Sequence, residues 1–268
     1  MPADADVLDG AAVAAAVRAA APRAVVHLAA QSSVAESWAD AAGVWSVNVV
    51  GTANVLEAVR AEAPQARVLF ASTGEVYGNA ATIPTPESAP PAPVSPYAAT
   101  KAAAEVACGQ AARRGLGVVV ARAFNHEGPG RDERFAVGSW TRQIAELEAA
   151  GGGVLEVGDL SAERDLTDVR DVCRAYTLLL DDAVEPATYN VCSGQAVPVS
   201  AVVEQLVALA RCEVTVEQRR DRMRPADIPR LAGDPSRLRT ATGWEPQIPL
   251  EQTLGDTLDA ARAVVAAR

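Results

Sequence analysis

Apolar residues form short runs that alternate with longer helical patterns through the first half of the chain. Three runs have the length and β-branched content of strands: AVVHLAA (24–30), RVLFAS (67–72) and GVVVARAF (117–124). Between them, three segments carry apolar residues at helical spacing: 11–22, 44–63 and 97–113. Strands that are apolar throughout and are separated by helices predict a parallel sheet covered on both faces.

The alternation becomes irregular after residue 125. A strong helix is predicted at 168–180, a strand at 189–193, and helices from about 200 to 210 and near the C-terminus. We therefore predict two units. Residues 1–124 form a dinucleotide-binding domain, to which 166–192 return, and residues 125–165 and 193–268 form a smaller α/β substrate-binding lobe.

Composition excludes several classes of protein. The net charge of −10 argues against nucleic-acid or anionic-membrane partners. No apolar run approaches the length of a membrane span and no signal peptide is visible, so a cytoplasmic protein is expected. The four cysteines lack metal-type spacing and only two histidines are present, so we expect reduced thiols and no metal site.

The loops that follow the predicted strands carry the candidate chemistry, because parallel sheets bind ligands at the carboxyl ends of their strands. STGEVYG (72–78) supplies Thr73 and Glu75, and SPYAATK (95–101) places Tyr97 and Lys101 four apart at a helix start. Such a pair also occurs on ordinary helix faces. A lysine beside a tyrosine lowers the phenol pKa from about 10, and a nearby threonine could hydrogen-bond the same substrate oxygen. Together the three side chains could move a proton on or off a carbonyl oxygen.

Nine segments in this order make the chain similar to the extended short-chain dehydrogenase/reductase superfamily, in its branch acting on GDP-mannose derivatives. They are HLAAQSSV, NVVGTANVLEAVR, STGEVYG, SPYAATK, RAFNHEGPG, VGDLSAERDLTDVRDV, YNVCSG, RPADIP and TGWEP. The resemblance implies a Rossmann-like sheet, NADP or NAD as cofactor, and a GDP-sugar substrate. It also implies a homodimer formed through the helices at 44–63 and 97–113.

Two activities of this branch compete. NHEGPG stands where the dehydratases have NHESPRRG, and RDLTDVRDV stands where they have RDWGHAxDYV. These departures favour NAD(P)H-dependent reduction of the 4-keto group of GDP-4-dehydro-6-deoxy-D-mannose to GDP-D-rhamnose. GDP-mannose 4,6-dehydratase is the alternative, and Glu75, which would be its base, does not discriminate between them.

The resemblance also implies residue roles. Thr73 would orient the keto oxygen, Tyr97 would protonate it, and Lys101 would lower the Tyr97 pKa and hold the nicotinamide ribose. The cofactor would contact Asp6, Val7, Leu28, Ala29, Ala30, Asn48, Tyr97 and Lys101. The substrate would contact Ser32, Thr73, Glu75, Asn125, Arg164, Arg224 and Asp227. Several of these residues could have ordinary structural roles instead. Thr73 could end a strand through its hydroxyl, Glu75 could be a solvated loop carboxylate, and Asn125 could be a loop-capping amide. His126 is expected to be structural.

The Gly-rich turn that holds a dinucleotide pyrophosphate is missing from the sequence, which contains no GxxGxxG. We therefore expect an N-terminally truncated Rossmann-like sheet that lacks two strands and most of a third, with 24–30 as an apolar edge strand. Cofactor binding by such a chain is doubtful. It could be a fragment of an active enzyme, a sugar-nucleotide binder without redox activity, or a pseudoenzyme that pairs through its edge.

Overall fold

The computed structural model describes residues 5–220 and 228–268. Its α-helices are α1 Gly10–Ala20, α2 Val34–Ala39, α3 Ala41–Trp45, α4 Gly51–Glu62, α5 Pro96–Arg113, α6 Ala136–Ala150, α7 Val169–Leu179, α8 Val199–Ala208, α9 Ser236–Thr242 and α10 Leu250–Ala266. Its strands are β1 Ala24–His27, β2 Arg67–Thr73, β3 Val118–Ala123, β4 Asn125–Glu127, β5 Gly153–Val157, β6 Glu163–Asp168, β7 Thr188–Val191, β8 Ala196–Pro198, β9 Val214–Gln218 and β10 Arg230–Leu231.

The main sheet has the strand order β1-β2-β3-β7, and all its pairs are parallel. Side chains of β2 and β3 are buried on both faces, which explains their unbroken apolar runs. One face packs against α1, α4 and α5, and the other packs against α7 and Trp244. The predicted parallel α/β sheet is therefore confirmed.

Smaller sheets lie at the carboxyl end of the main sheet. One has the order β10-β6-β4 with β8 antiparallel to β6, and the other pairs β5 with β9. Helices α6, α8 and α10 close a separate apolar core over β5. This part of the chain is the region predicted to be the substrate-binding lobe, and the boundaries of the two units stay a prediction.

Strand β1 is shorter than the predicted run 24–30. Its pairing with β2 ends at His27↔Phe70, and four residues later the chain bonds to a helix, since Gln31 N donates to Asn48 Oδ1 at 2.9 Å. Among the described strands β1 pairs only with β2, so it forms an edge of the sheet. Val26 is 40% exposed there and Leu28, just beyond it, is 62% exposed.

The helix predicted at 44–63 is interrupted. Ser46–Val50 form a π-helical turn between α3 and α4. Such turns are common at functional sites because they redirect one side chain. Here the turn carries the buried Asn48, whose contacts are described with the site.

A buried ion pair joins α5 to the main sheet. Glu105 of α5 receives three hydrogen bonds from the Arg122 guanidinium on β3, the shortest being 2.6 Å, and it also accepts from the Ser72 hydroxyl on β2. The guanidinium stacks over the Tyr77 ring at 4.6 Å. These contacts hold α5 in one register against β2 and β3.

No helix in the described part of the chain is long and apolar enough to cross a membrane. Nor do residues 5–220 and 228–268 contain a group of three or more His, Cys, Asp or Glu side chains that could hold a metal ion.

Candidate active site

The start of α5 places Tyr97 and Lys101 against the sheet. Ser95 caps the helix by accepting a hydrogen bond from Ala98 N at 3.1 Å, and Pro96 follows in the first turn, where proline is favoured. Tyr97 and Lys101 then lie one turn apart on the buried face of the helix. The sequence does not show which way this i, i+4 pair faces, and in the structure both side chains face the protein interior.

Strand β2 ends beside them at Thr73. A 3₁₀ turn, Gly74–Tyr77, follows immediately and is capped by Thr73, whose hydroxyl accepts from Glu75 N at 3.2 Å. The same turn places Glu75 at the site. Thr73 therefore also has a local structural role, because it ends β2 and caps the turn that follows.

A cavity of about 540 Å³ opens at this carboxyl edge. Eight of the predicted site residues line it: Leu28, Ala30, Ser32, Thr73, Glu75, Tyr97, Lys101 and Asn125. The fold brings them together from four separate chain segments. A set of polar side chains converging on one concave site is the usual form of an enzyme pocket.

Tyr97 has a hydroxyl whose pKa is raised. Burial contributes most, the negative charge of Glu75 adds to it, and hydrogen bonding with Thr73 acts in the opposite direction. Tyr97 is therefore a neutral proton donor at physiological pH. The pKa of Tyr97 therefore shifts in the opposite direction to the lowering by Lys101 that the sequence led us to expect.

Lys101 is almost completely buried, with 4% of its surface exposed. Its Nζ donates to the Ala71 carbonyl at 2.7 Å and lies 4.7 Å from the centre of the Phe70 ring. Burial lowers its pKa to about 8. The ammonium group is thus still largely charged at pH 7, and it is fixed against β2.

Asn48 is buried and does not line the cavity, but its hydrogen bonds hold segments that do. Its Oδ1 accepts from Gln31 N, and its Nδ2 donates to Gln31 O at 3.1 Å and to Thr100 Oγ1 at 2.9 Å. Thr100 in turn donates to the Tyr97 carbonyl at 2.7 Å. Asn48 therefore connects the segment after β1 to the first turn of α5.

The other predicted residues lie elsewhere. Asp6 caps the turn before α1, and Val7 packs against Gly51 at the start of α4. Ala29 is not among the cavity-lining residues. Arg164 donates to the Glu163 carbonyl at 2.8 Å, and the nearby charge of Glu75 partly opposes the lowering of its pKa by burial. Arg224 and Asp227 lie outside the described residues.

Two groups of cavity residues were not predicted as ligand contacts. His126, Arg131, Arg134 and Phe135 come from the segment after β3. Val169, Val172, Cys173 and Tyr176 form one face of α7, at spacings of three and four residues. That helical spacing was readable in the sequence, but it did not show that part of the apolar face meets a cavity.

The cavity fits the nicotinamide end of a dinucleotide. Leu28 is a largely exposed apolar side chain at its rim, suited to cover a flat ring, and Lys101 supplies a buried cation for hydroxyl or phosphate oxygens. The pyrophosphate has no corresponding Gly-rich turn in this sequence. The residues present thus fit the reactive half of the cofactor.

The fold and the site together define the class. A parallel sheet with a Thr73, Tyr97 and Lys101 group at its carboxyl edge is the arrangement of short-chain dehydrogenases/reductases. The sequence pattern of the family described as GDP-mannose 4,6 dehydratase matches residues 3–257. The chain belongs to that family.

Individual members of this family show which activities the chain resembles. A GDP-6-deoxy-D-mannose reductase from Pseudomonas aeruginosa is 41% identical over 237 residues, covering 87% of this chain and 78% of the relative. A GDP-mannose 4,6-dehydratase from Sinorhizobium fredii is 31% identical, covering 83% of this chain and 70% of the relative. The solved structure of RMD from Pseudomonas aeruginosa complexed with NADPH has a TM-score of 0.91 at 38% identity, covering 98% of this chain and 89% of that one.

Proposed function

We propose that this protein reduces the 4-keto group of GDP-4-dehydro-6-deoxy-D-mannose to the alcohol of GDP-D-rhamnose, with NADPH or NADH. The observation that carries the proposal is the convergence of Thr73, Tyr97 and Lys101 in one cavity. The greater identity to a reductase than to a dehydratase supports the choice of reaction. Solved relatives hold NADPH or NAD, so either cofactor is compatible with the fold.

Proton transfer is the part of the reaction that these side chains perform. The bound cofactor supplies a hydride for the C4 carbon of the sugar. Thr73 holds the keto oxygen beside the Tyr97 hydroxyl, which gives up its proton as negative charge develops on that oxygen. The resulting phenolate is stabilised by the positive charge of Lys101 and is reprotonated from solvent. Leu28 and Ala30 would hold the nicotinamide end.

The test is an assay, with NADPH and GDP-4-dehydro-6-deoxy-D-mannose, of the chain fused to the glycine-rich segment of a relative. We expect oxidation of NADPH, followed at 340 nm, together with formation of GDP-D-rhamnose identified by chromatography and NMR. Supplying the missing glycine-rich segment from a relative as a fusion separates loss of cofactor binding from absence of chemistry. A fusion that binds NADPH and leaves the keto sugar unchanged would exclude the reductase.

The dehydratase is the second candidate, and Glu75 is the observation that favours it. Its carboxylate lines the cavity and lies close enough to Tyr97 to raise the phenol pKa. A carboxylate at that position could remove the C5 proton of a 4-keto sugar before water is lost. Incubation of the same fusion with GDP-mannose and NADP⁺ distinguishes the candidates, because only a dehydratase releases the 4-keto-6-deoxy sugar.

We also infer a homodimer that works in the cytoplasm. The helices expected to form the dimer carry exposed apolar side chains, with Trp45 of α3 43% exposed and Val106 of α5 73% exposed. All four cysteines are free, as expected for a reducing compartment. Light scattering coupled to size exclusion should give twice the chain mass for the wild type and a single chain mass for Val106→Glu. A monomeric wild type would contradict the dimer.

A further inference from the structure

Arg131 lies in the wall of the active-site cavity, four residues beyond the end of β4. Its Nε faces Glu127 Oε2 at 3.0 Å, and its guanidinium carbon lies 3.9 Å from the centre of the Phe135 ring. About a fifth of the side chain, 21%, is exposed, and the cavity is on its open side. A carboxylate on one edge and a ring on one face thus fix the orientation of this cation.

The remaining donors of Arg131 have no acceptor. No hydrogen bond from its guanidinium is made to any residue in 5–220 or 228–268, and its Nε is buried without a hydrogen-bond partner. Arg134, the other arginine in this wall, differs because both its Nε and its Nη2 donate to Asp132. Partly buried polar groups are normally hydrogen-bonded, so a guanidinium that is held in one orientation in a cavity wall and is 21% exposed is suited to bind an anionic ligand with two oxygens.

The neighbouring charges leave the cation incompletely neutralised. Burial raises the pKa of Glu127 to about 7, although the charge of Arg131 acts to lower it. Burial, and then the same arginine, lower the pKa of His126. Glu127 is thus about half ionised at pH 7 and neutralises the Arg131 cation only in part, in a chain whose overall net charge is −10.

We infer that Arg131 binds diphosphate oxygens of the nucleotide sugar through its terminal nitrogens. The planar fork of an arginine matches two oxygens of a phosphate, and Phe135 and Glu127 hold that fork ready. The inference rests on the proposed function, since it names a further residue for the substrate of that site. The diphosphate of the dinucleotide is the other source of the same chemistry, and the test separates the two.

The experiment measures the binding of four ligands to the full chain by titration calorimetry: GDP, UDP, guanosine and NADP⁺. Arg131→Met should weaken GDP binding about 10- to 100-fold, the loss expected for charge-assisted hydrogen bonds. Guanosine and NADP⁺ should bind as they do to the wild type. Arg131→Lys keeps the charge without the fork and should show an intermediate loss of GDP affinity.

Arg134→Met is the matched control, because it removes the same charge from the same wall at a side chain already paired with Asp132. Its GDP affinity should stay within about threefold of the wild type. Thermal melting of each variant checks folding, and if Arg131→Met does not fold, Arg131→Lys alone decides the question.

The outcomes separate this inference from the proposed function. Unchanged GDP binding in both Arg131 variants contradicts the inference, as does a loss confined to NADP⁺ or a wild type that binds no nucleoside diphosphate. A wild type that binds UDP in place of GDP contradicts the proposed substrate. A loss of UDP affinity in Arg131→Met would then still support diphosphate binding by Arg131.

Discussion

Tyr97 is built to donate a proton at neutral pH. Burial and the charge of Glu75 raise its pKa, so the hydroxyl stays protonated until a substrate oxygen becomes more basic than the phenolate. That condition arises when a carbonyl is reduced, because negative charge develops on its oxygen. The electrostatics of this one side chain thus suit the reductive direction.

Tyr97→Phe removes the hydroxyl and leaves the ring. We expect turnover to fall by about 10³-fold, within the range for loss of a general acid, while GDP binding is unchanged. Steady-state kinetics on the cofactor-competent fusion measure the change. Tyr176→Phe is the matched control, since Tyr176 lines the same cavity from α7 and should retain most activity. Equal losses in the two variants would contradict the role assigned to Tyr97.

His27 makes stability depend on pH. It is buried against Phe70, its Nε2 meets Thr52 Oγ1 at 2.9 Å, and burial followed by the charge of Lys101 lowers its pKa to about 4. Unfolded chains bind a proton at this histidine below about pH 6.5, whereas the folded protein does not until about pH 4. Its contribution to stability is therefore lost as pH falls below 6.5, by about 2 kcal/mol at pH 5.

The measurement compares urea unfolding at pH 7 and pH 5 for the wild type and His27→Gln. Glutamine can still donate to Thr52 but does not titrate. The difference in unfolding free energy between the two pH values should therefore shrink by about 2 kcal/mol in the variant. Identical pH dependence in both proteins would show that His27 titrates normally in the folded state.

At the residue scale, a shared location was easier to predict from the sequence than a role. Thr73, Tyr97 and Lys101 could be predicted to lie together because they fall in loops and helix starts at the strand ends and match the family pattern, and all three line one cavity. Arg131 and His126 could not, because His126 lies in, and Arg131 follows, a short strand whose partner, β6, lies about 40 residues away in sequence. Their positions are set by tertiary contacts that no local pattern contains.

At the scale of elements, α5 depends on one ion pair for its position. The Glu105 and Arg122 side chains are 10% and 7% exposed, so neither charge is well solvated. Removing one member of such a pair leaves the other buried and unpaired, which is more destabilising than losing an exposed pair. The register of Tyr97 and Lys101 against β2 therefore depends on a contact one turn further along the helix.

Glu105→Gln should lower the unfolding free energy by about 3 kcal/mol, because Arg122 is left buried without its carboxylate. Chemical denaturation followed by circular dichroism measures this. Glu62→Gln is the matched control, since it breaks the exposed pair between Glu62 and Arg18 and should leave the midpoint almost unchanged. The idea fails if the two variants are equally stable.

Helices and strands were predicted most accurately where the periodic pattern of apolar residues extends over many residues. The predicted limits of α5 and α7 differ from the observed ones by one residue at each end or less, since both helices have a well-defined start signal in Ser95 and Asp168. The segment 44–63 reads as one helix because a π-helical turn changes the period by only one residue. Short strands such as β4 and β10 have too few residues for any period.

At the scale of the molecule, β1 leaves backbone groups and apolar side chains at the edge of the main sheet. An apolar edge strand is a template for pairing with another chain. Val26→Lys places a charge on this edge and should slow the aggregation of this 268-residue chain severalfold, measured by light scattering at a fixed concentration and temperature.

Val264→Lys is the control for that substitution. Val264 is also exposed, at 54%, but it lies on α10, where the backbone is already hydrogen-bonded within the helix. Val264→Lys therefore adds the same charge as Val26→Lys but leaves the edge strand β1 unprotected. Equal slowing by the two lysines would mean that net charge, and not the edge strand, governs aggregation.

The overall architecture could be predicted from the sequence, whereas the smaller sheets could not. Alternating apolar strands and helices indicate the parallel sheet, because each strand must be covered on both faces. The smaller sheets could not be predicted, since β6 joins β4, β8 and β10 from three distant parts of the chain. Pairings between distant short segments carry little signal in a single sequence.

The path of the chain limits how this protein can be recombined. Helix α6 and strand β5 share a core with α8 and α10, yet α7 and β7, which lie between them in sequence, pack on the main sheet. No single crossover can exchange the lobe for that of a relative without also splitting a core. A chimaera therefore needs two junctions before α7 and at least one after β7, so the predicted substrate-binding lobe can be exchanged only as a discontinuous segment.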